Sequence, residues 1–489
     1  MKASRFRRCI GAIGASCIVV LGLSAAVALG APSAQAPSEV PEADEFGVIT
    51  SDKWAEQYPL EYQSYLLNAE NVPPEYDEFI ANGGVDNTSV GVEALNGDYT
   101  SVKVDYLADD QAPEIKTLGK GYGYAKYYTE PAGHTYSLWS ISHNGRLGDL
   151  TTSKGKVSCF TCKTPQIHYE AAAYEGEGSF WTQSINDYVD HYTENVACAN
   201  CHQNDNPTQL SVLREDWVRA MGEDAETVPL QGQVCGQCHC DYSMAPATGG
   251  DEKAPFEPGE PTSPYYGGLE SMTPESALAF YDEYDFADWV YASTGAKMLA
   301  IRHAEFEFCY ANGGNKMVTL MGYNCNDCHM GVETADDGTE YTSHHWQSPL
   351  DNPALLEKCN ACHSRTYEGG LEAWVKDTQA DIDGRTHELG LRAEQFIWNF
   401  EAKVAVEKDG ALAFDMDTAL ANGLTEDQVA ELQKIQREAC YYWNLAAAEN
   451  SEGVHNPRFY NELLDKGNEL LDRADEILGV SSLPAAQAA

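Results

Sequence analysis

A mainly α fold, organised around covalently attached groups, is what the sequence predicts, on three observations. Cysteine pairs at C-x-x-C spacing recur five times between residues 159 and 363. Four of these pairs are followed directly by His. Beyond them, apolar residues recur at helical spacing with charged opposite faces over residues 367–406, 424–449 and 458–478.

A C-x-x-C pair followed by His is the attachment signature of a c-type haem, in which the thiolates become thioethers and the His binds iron. The four pairs are Cys198/Cys201 with His202, Cys235/Cys238 with His239, Cys325/Cys328 with His329, and Cys359/Cys362 with His363. One such motif is compatible with a zinc half-site; four in one chain read as a multihaem cytochrome c. The first pair, Cys159/Cys162, has the same spacing but is followed by Lys163. Alone it could be a disulfide or a partial metal site. Upstream of four haem motifs it reads as a fifth haem, with an amine ligand on one side of the iron. What lies opposite decides between electron transfer and catalysis.

These groups change what length implies. Porphyrin supplies much of the apolar core, so the 489 residues divide into a compact pentahaem core at 121–366, with closely packed haems, and a C-terminal region of long helices at 367–489. Residues 37–120 are acidic and Pro-rich and read as a lead-in of loops and short helices. Ten of the 15 cysteines lie in the motifs; Cys9 and Cys17 lie in the N-terminal apolar stretch, and Cys240, Cys309 and Cys440 remain. An odd remainder argues against a disulfide framework and for small buried thiols.

Residues 1–36 carry Lys2, Arg5, Arg7 and Arg8, no acid, and a long apolar run. That is the pattern of a signal peptide or an N-terminal anchor. It implies export to the periplasm or the extracytoplasmic face of the cytoplasmic membrane, where bacterial haem attachment takes place. The formal net charge of −45 excludes nucleic acid as a partner. An anionic substrate would need positive charge supplied by the site itself.

Residues 244–270 are rich in Gly, Pro and Ser and read as a surface loop, and 274–297 as helix. Thr425 followed by Glu426 and Asp427 predicts a capped helix start. Trp374, Trp398, Tyr441, Tyr442 and Trp443 are expected to line one helix-packing face, within the chain or between two copies.

C-x-x-C-K followed by four C-x-x-C-H resembles the pentahaem, ammonia-forming cytochrome c nitrite reductases, over roughly residues 120–460. The likeness extends past the motifs. Cys-Lys-Thr-Pro at 162–165 is similar to the family's sequence after its first haem, and Asp241-Tyr242 to the acid–tyrosine pair after its third. Gly133-His134 with Arg146 resembles the haem 3 ligand and active-site Arg. Residues 298–303, ending in His303, resemble the segment with the catalytic His. His344 and His455 resemble the distal ligands of haems 2 and 4.

The resemblance implies six-electron reduction of nitrite to ammonium at a Lys163-ligated haem, fed by four others. Arg146, Tyr242 and His303 would surround the open face. Arg146 and His303 would donate hydrogen bonds where charge builds on oxygen, and His303 and Tyr242 would carry protons. It also implies a homodimer, possible membrane association, and a multihaem quinol-oxidising or soluble cytochrome as electron donor. Two departures stand out. Ala300 and Arg302 replace the Lys and Gln of the family's calcium site, so calcium is expected to be absent, with Arg302 pairing with Asp241 as in a calcium-free branch. No His lies between His303 and His329, so Met317, or failing it Met321, is expected as the distal ligand of haem 5. The rivals are a reductase of another oxyanion such as sulfite, and a non-catalytic electron-transfer cytochrome. His143, His168, His191, His345 and His387 receive no role, although His345 adjoins His344.

Overall fold

The computed structural model describes residues 35–68, 114–122, 134–138, 141, 153, 155–244, 257–300 and 304–480. Arg146, His303, Arg302, His143, Cys9 and Cys17 lie outside these. So do residues 1–34, which hold most of the expected signal or anchor. Among the described residues no helix is long and apolar enough to cross a membrane.

Among the described residues the chain is mainly helical, with sheet limited to two-stranded antiparallel pairs. Short helices lie among and through the motifs: α1 (Gln166–Ala173), α2 (Glu215–Met221), α3 (Leu230–Gly236), α4 (Pro274–Glu283), α5 (Glu305–Cys309), α6 (Lys316–Met321), α7 (Cys325–His329) and α8 (Pro353–His363), with a single helical turn, Cys198–Cys201, holding the second motif. Three long helices follow: α9 (Gly370–Val404), α10 (Glu426–Ala448) and α11 (Pro457–Leu478). Between α9 and α10 lie a hairpin of Ala405–Lys408 with Ala411–Phe414 and a short helix, Met416–Ala421.

The long helices start and stop where local chemistry dictates. Thr425 accepts from the Gln428 amide, and Gln428 reaches back to the Thr425 amide, which satisfies two otherwise orphan donors of α10. Asn456 caps α11 ahead of Pro457, and Gly479 ends it at φ 66°. α11 buries Phe459, Tyr460, Leu463, Leu464, Leu471, Ala474 and Leu478, one face at three- and four-residue spacing. Where α9 crosses its neighbours the contacts need glycine. A Cβ on Gly467 would sit 2.7 Å from Leu389, and one on Gly390 would sit 2.7 Å from the Trp443 indole nitrogen.

The packed core joins these helices to α4 and α5. A smaller cluster of Val157, Phe160, Ile167, Phe180, Ile185 and Tyr192 surrounds the first motif.

Three local expectations are corrected. The helix predicted over 274–297 ends at Glu283, where Tyr284 leaves helical geometry and Asp285 turns left-handed at φ 51°. The chain returns as a pair of two-residue strands, Trp289–Val290 and Lys297–Met298. The described part of the expected surface loop is not all at the surface: Pro261 to Tyr265 are buried, with Ser243 and Met244 paired to Thr262 and Pro261. The five C-terminal aromatics do not share one face. Tyr441, Tyr442 and Trp443 are core, Trp398 is exposed, and Trp374 is half-buried near His363.

Candidate haem and catalytic site

The motif cysteines approach one another in a definite order. Cys162 of the first motif meets Cys238 of the third, and Cys235 of the third meets Cys325 of the fourth. Cys201 of the second lies near Cys235, and Cys359 of the fifth near Cys328 of the fourth. The third motif is the hub. α3 delivers it, running into Cys235-Gly-Gln-Cys-His; Gln237 ties it to the second motif by donating to the Asn200 carbonyl at 2.9 Å.

Three motif histidines face a second imidazole. His202 and His344 have ring centres 6.1 Å apart, His134 and His239 5.9 Å, and His329 and His455 6.0 Å. Each gap is too wide for ring stacking. A metal held about 2 Å from a nitrogen of each ring sets imidazole centres roughly 6 Å apart. All three pairs combine a motif His with one of the distal histidines suggested by resemblance.

The rings are held for that role. The His344 ring nitrogen Nδ1 lies 2.9 Å from the Thr342 carbonyl, and that of His329 lies 3.1 Å from the Gln347 carbonyl. A fixed Nδ1 leaves Nε2 for a metal. Burial drives the His202 imidazole down to about 4, so it stays neutral and able to ligate. The lead-in segment does more than precede this core. Asn68 donates to the His344 carbonyl at 2.7 Å, Ser64 accepts from the His344 amide, and Ser51 accepts from the Cys198 amide. His344, not His345, faces His202.

The fifth motif differs. His363 ends α8, and the ring 6.3 Å from it is Trp374. Met317 on α6 is half-buried, whereas Met321 is 58 % exposed. Tyr323, just after α6, lies near Cys359 and Cys362, which places the end of that helix beside the fifth motif.

Around the first motif, Ser137 donates to the Lys163 carbonyl at 2.6 Å, and His168 reaches the Thr161 carbonyl at 2.9 Å. Burial lowers His168 to about 4, so it serves as a neutral strut under the motif. Arg214 is 2 % exposed and lies near Cys162. Its guanidinium donates to both Asp216 carboxylate oxygens and, at 2.5 Å, to the Gln237 carbonyl. It also stands 5.9 Å from the centre of the Tyr242 ring. Arg214 therefore joins the first motif, the third motif and Tyr242.

Beside Tyr242, Asp241 is fully buried. It accepts from Tyr441 at 3.0 Å and from Tyr281 at 3.3 Å, and its amide donates to Glu307 at 2.7 Å. Burial first, and then the Asp241 carboxylate, holds Glu307 well above the usual carboxylate range. Ala300 is pinned by its amide to Asp288 at 2.9 Å.

The family model for cytochrome c552 matches residues 50–487. The chain belongs to the cytochrome c552 family. It is 29 % identical over 429 residues to the cytochrome c nitrite reductase subunit NrfA of Nitratidesulfovibrio vulgaris, covering 84 % of this chain and 74 % of that one. To a cytochrome c-552 of Bacteroides fragilis it is 28 % identical over 410 residues, covering 81 % and 73 %. Its fold is similar to that of a cytochrome c nitrite reductase from Desulfovibrio desulfuricans, with a TM-score of 0.66 at 23 % identity over 88 % and 86 % of the two chains. That structure is described with two calcium sites in its catalytic subunit.

The chain's donor set fits the haem c that the family implies: paired cysteines at attachment spacing, and opposed imidazoles at the separation an iron requires. Of the remaining thiols, Cys240, Cys309 and Cys440 are buried, and no disulfide joins the described cysteines. His191 pairs with Glu170, and His387 pairs with Glu114. The sequence reading missed Arg214, Glu305, Glu307 and Glu449. Glu305 was legible as an acid just after His303; Arg214 sits two residues from its partner Asp216, an ordinary acid–base pair in sequence, and only the fold brings it to the Gln237 carbonyl and the first motif.

Proposed function

We propose that this cytochrome carries five haem c groups and reduces nitrite to ammonium at the one bound through Cys159, Cys162 and Lys163. The observation that carries this reading is Lys163 itself, in place of the His that follows each of the other four motifs. In three of those four, a second imidazole stands opposite the motif His. When bound, the haems supply electrons one at a time and the first offers the substrate an open face.

The chain's own residues do the rest. Arg146 and His303 bind and orient the anion and donate hydrogen bonds where charge develops on its oxygens. Tyr242 and His303 hold the protons that must arrive with the electrons. Arg214, 5.9 Å from the centre of the Tyr242 ring and neutralised by Asp216, backs that phenol. The order of motif contacts supports the third motif as the junction: a haem held there would lie between those of the second, fourth and fifth motifs and that of the first. Export, a homodimer built on the long helices, and a multihaem cytochrome donor complete the reading.

Spectra of the haem-loaded protein test it. One high-spin haem in five is expected, with the others low-spin. Sixth ligation of haem 5 by Met317 predicts an absorption band near roughly 700 nm in the oxidised protein, as for His/Met haem. Five low-spin haems would make the chain an electron carrier, and absence of the band would remove Met317 and Met321 together.

Calcium is proposed to be absent, with Arg302 serving Asp241 as the cation. The two tyrosine hydroxyls on Asp241 support this, because they already satisfy part of the carboxylate. Metal analysis of pure active protein should find no stoichiometric calcium; calcium that activity requires would overturn the assignment.

A further inference from the structure

The axial histidines do not share the same kind of partner at Nδ1. His344 and His329 approach backbone carbonyls. His455 instead makes a close contact to the Glu449 carboxylate, and His239 Nδ1 lies 3.5 Å from Glu305 Oε2, a charge contact longer than a hydrogen bond that places the carboxylate beside the ring. Glu449 is 1 % exposed and does not stand alone: its other oxygen accepts from the Ser451 amide at 3.1 Å, from the Ser451 hydroxyl at 2.5 Å and from the Tyr460 hydroxyl. Glu305, 8 % exposed, accepts from the Asn450 side chain at 2.5 Å. Asn450 directly follows Glu449, so one hydrogen-bonded segment holds the carboxylates behind both ligands.

A carboxylate that accepts the Nδ1 proton gives the imidazole imidazolate character and makes it a stronger donor to the metal. It also places negative charge beside the iron. Both effects favour ferric over ferrous iron and lower the reduction potential. A backbone carbonyl does this more weakly. We propose that Glu449 and Glu305 are positioning residues that make haems 4 and 3 the lowest-potential His/His haems of this chain, below haem 2. The inference rests on the pentahaem reading and on the three imidazole pairs as axial ligands, but not on nitrite as the substrate.

The consequence is directional. In the order of motif contacts, haems 4 and 3 lie between haem 5 and haem 1. Electrons held on that pair would be strongly reducing toward the first haem. Asn450 couples the two carboxylates, so the pair is tuned as a unit.

The test is a redox titration of the full-length, haem-loaded protein, followed optically and by EPR, comparing the parent with Glu449→Gln, Glu449→Asp and Glu305→Gln. Gln keeps the shape and an acceptor oxygen but loses the charge. In Glu449→Gln one component of the most negative group should move upward by at least tenfold in its reduced-to-oxidised ratio at fixed potential, about 59 mV for a one-electron couple. Its low-spin His/His signal should be retained. Glu449→Asp should stay near the parent, which a purely structural role for Glu449 would not predict. Glu305→Gln should shift a different component, and it carries the test alone if Glu449→Gln fails to load haem. Unmoved potentials in glutamine variants with full haem and intact low-spin signals would overturn the proposal. Fewer than three His/His signals in the parent would instead place the error in the ligand pairs.

Discussion

Replacing Arg146 by Ala is expected to lower kcat for nitrite by about 10²- to 10³-fold, the typical cost of losing one donor to a developing oxyanion. The haem content and the spectra of haems 2 to 5 should not change. The chain's charge explains why so much rests on one side chain. At −45 overall, its surface repels nitrite, and only cations inside the site favour the anion. Hydroxylamine provides the contrast. It is uncharged near neutral pH and has a single N–O bond to break, so its reduction should fall less than that of nitrite in the same variant. Steady-state assays with a reduced viologen dye and both substrates check this. Equal losses for the two substrates would mean that Arg146 acts on the haem or the fold rather than on the anion.

Replacing Arg214 by Met is expected to destabilise the protein by about 3–5 kcal/mol, the cost of breaking a buried ion pair by removing one partner. Asp216, 4 % exposed, would be left without its cation, and the Gln237 carbonyl would lose its donor. Burial opposes the guanidinium charge, but the Asp216 carboxylate more than offsets it, so Arg214 stays charged throughout the working range. Guanidinium-induced unfolding at matched haem content should show the loss. The double variant Arg214→Met/Asp216→Leu should recover much of it, because two apolar groups remove the stranded charge. No recovery would assign the loss to the Gln237 and Tyr242 contacts instead. In Arg214→Met molecules that do fold, the Tyr242 ring loses the cation beneath it.

What the sequence revealed tracks how local each signal is. An attachment signature spans five consecutive residues, so the five C-x-x-C motifs were legible, and Lys163 stood out against four histidines. The long helices were legible too, because their apolar spacing and the Thr425 cap are local. The ends of shorter elements were not. The 274–297 stretch has helical composition, but Asp285 takes a left-handed turn that composition does not announce. The imidazoles that face the motif histidines come from tens to hundreds of residues away, and only resemblance pointed to His134, His344 and His455. The sequence showed no reason to prefer His344 over His345; the bonds from Asn68 and Ser64 that orient the segment come from residues some 280 positions earlier. Arg214 and Glu449 were invisible although several of their partners are near in sequence. Each is one charged residue among many until the fold buries it against a motif or a ligand.

The central claim is the reaction at the Lys163 haem, and its most direct test is the yield of ammonium. Purified protein with five haems, given nitrite and a reduced viologen dye, should form one ammonium for each nitrite consumed, with six dye electrons used. No nitrite consumption by fully loaded, fully reducible protein would contradict the account.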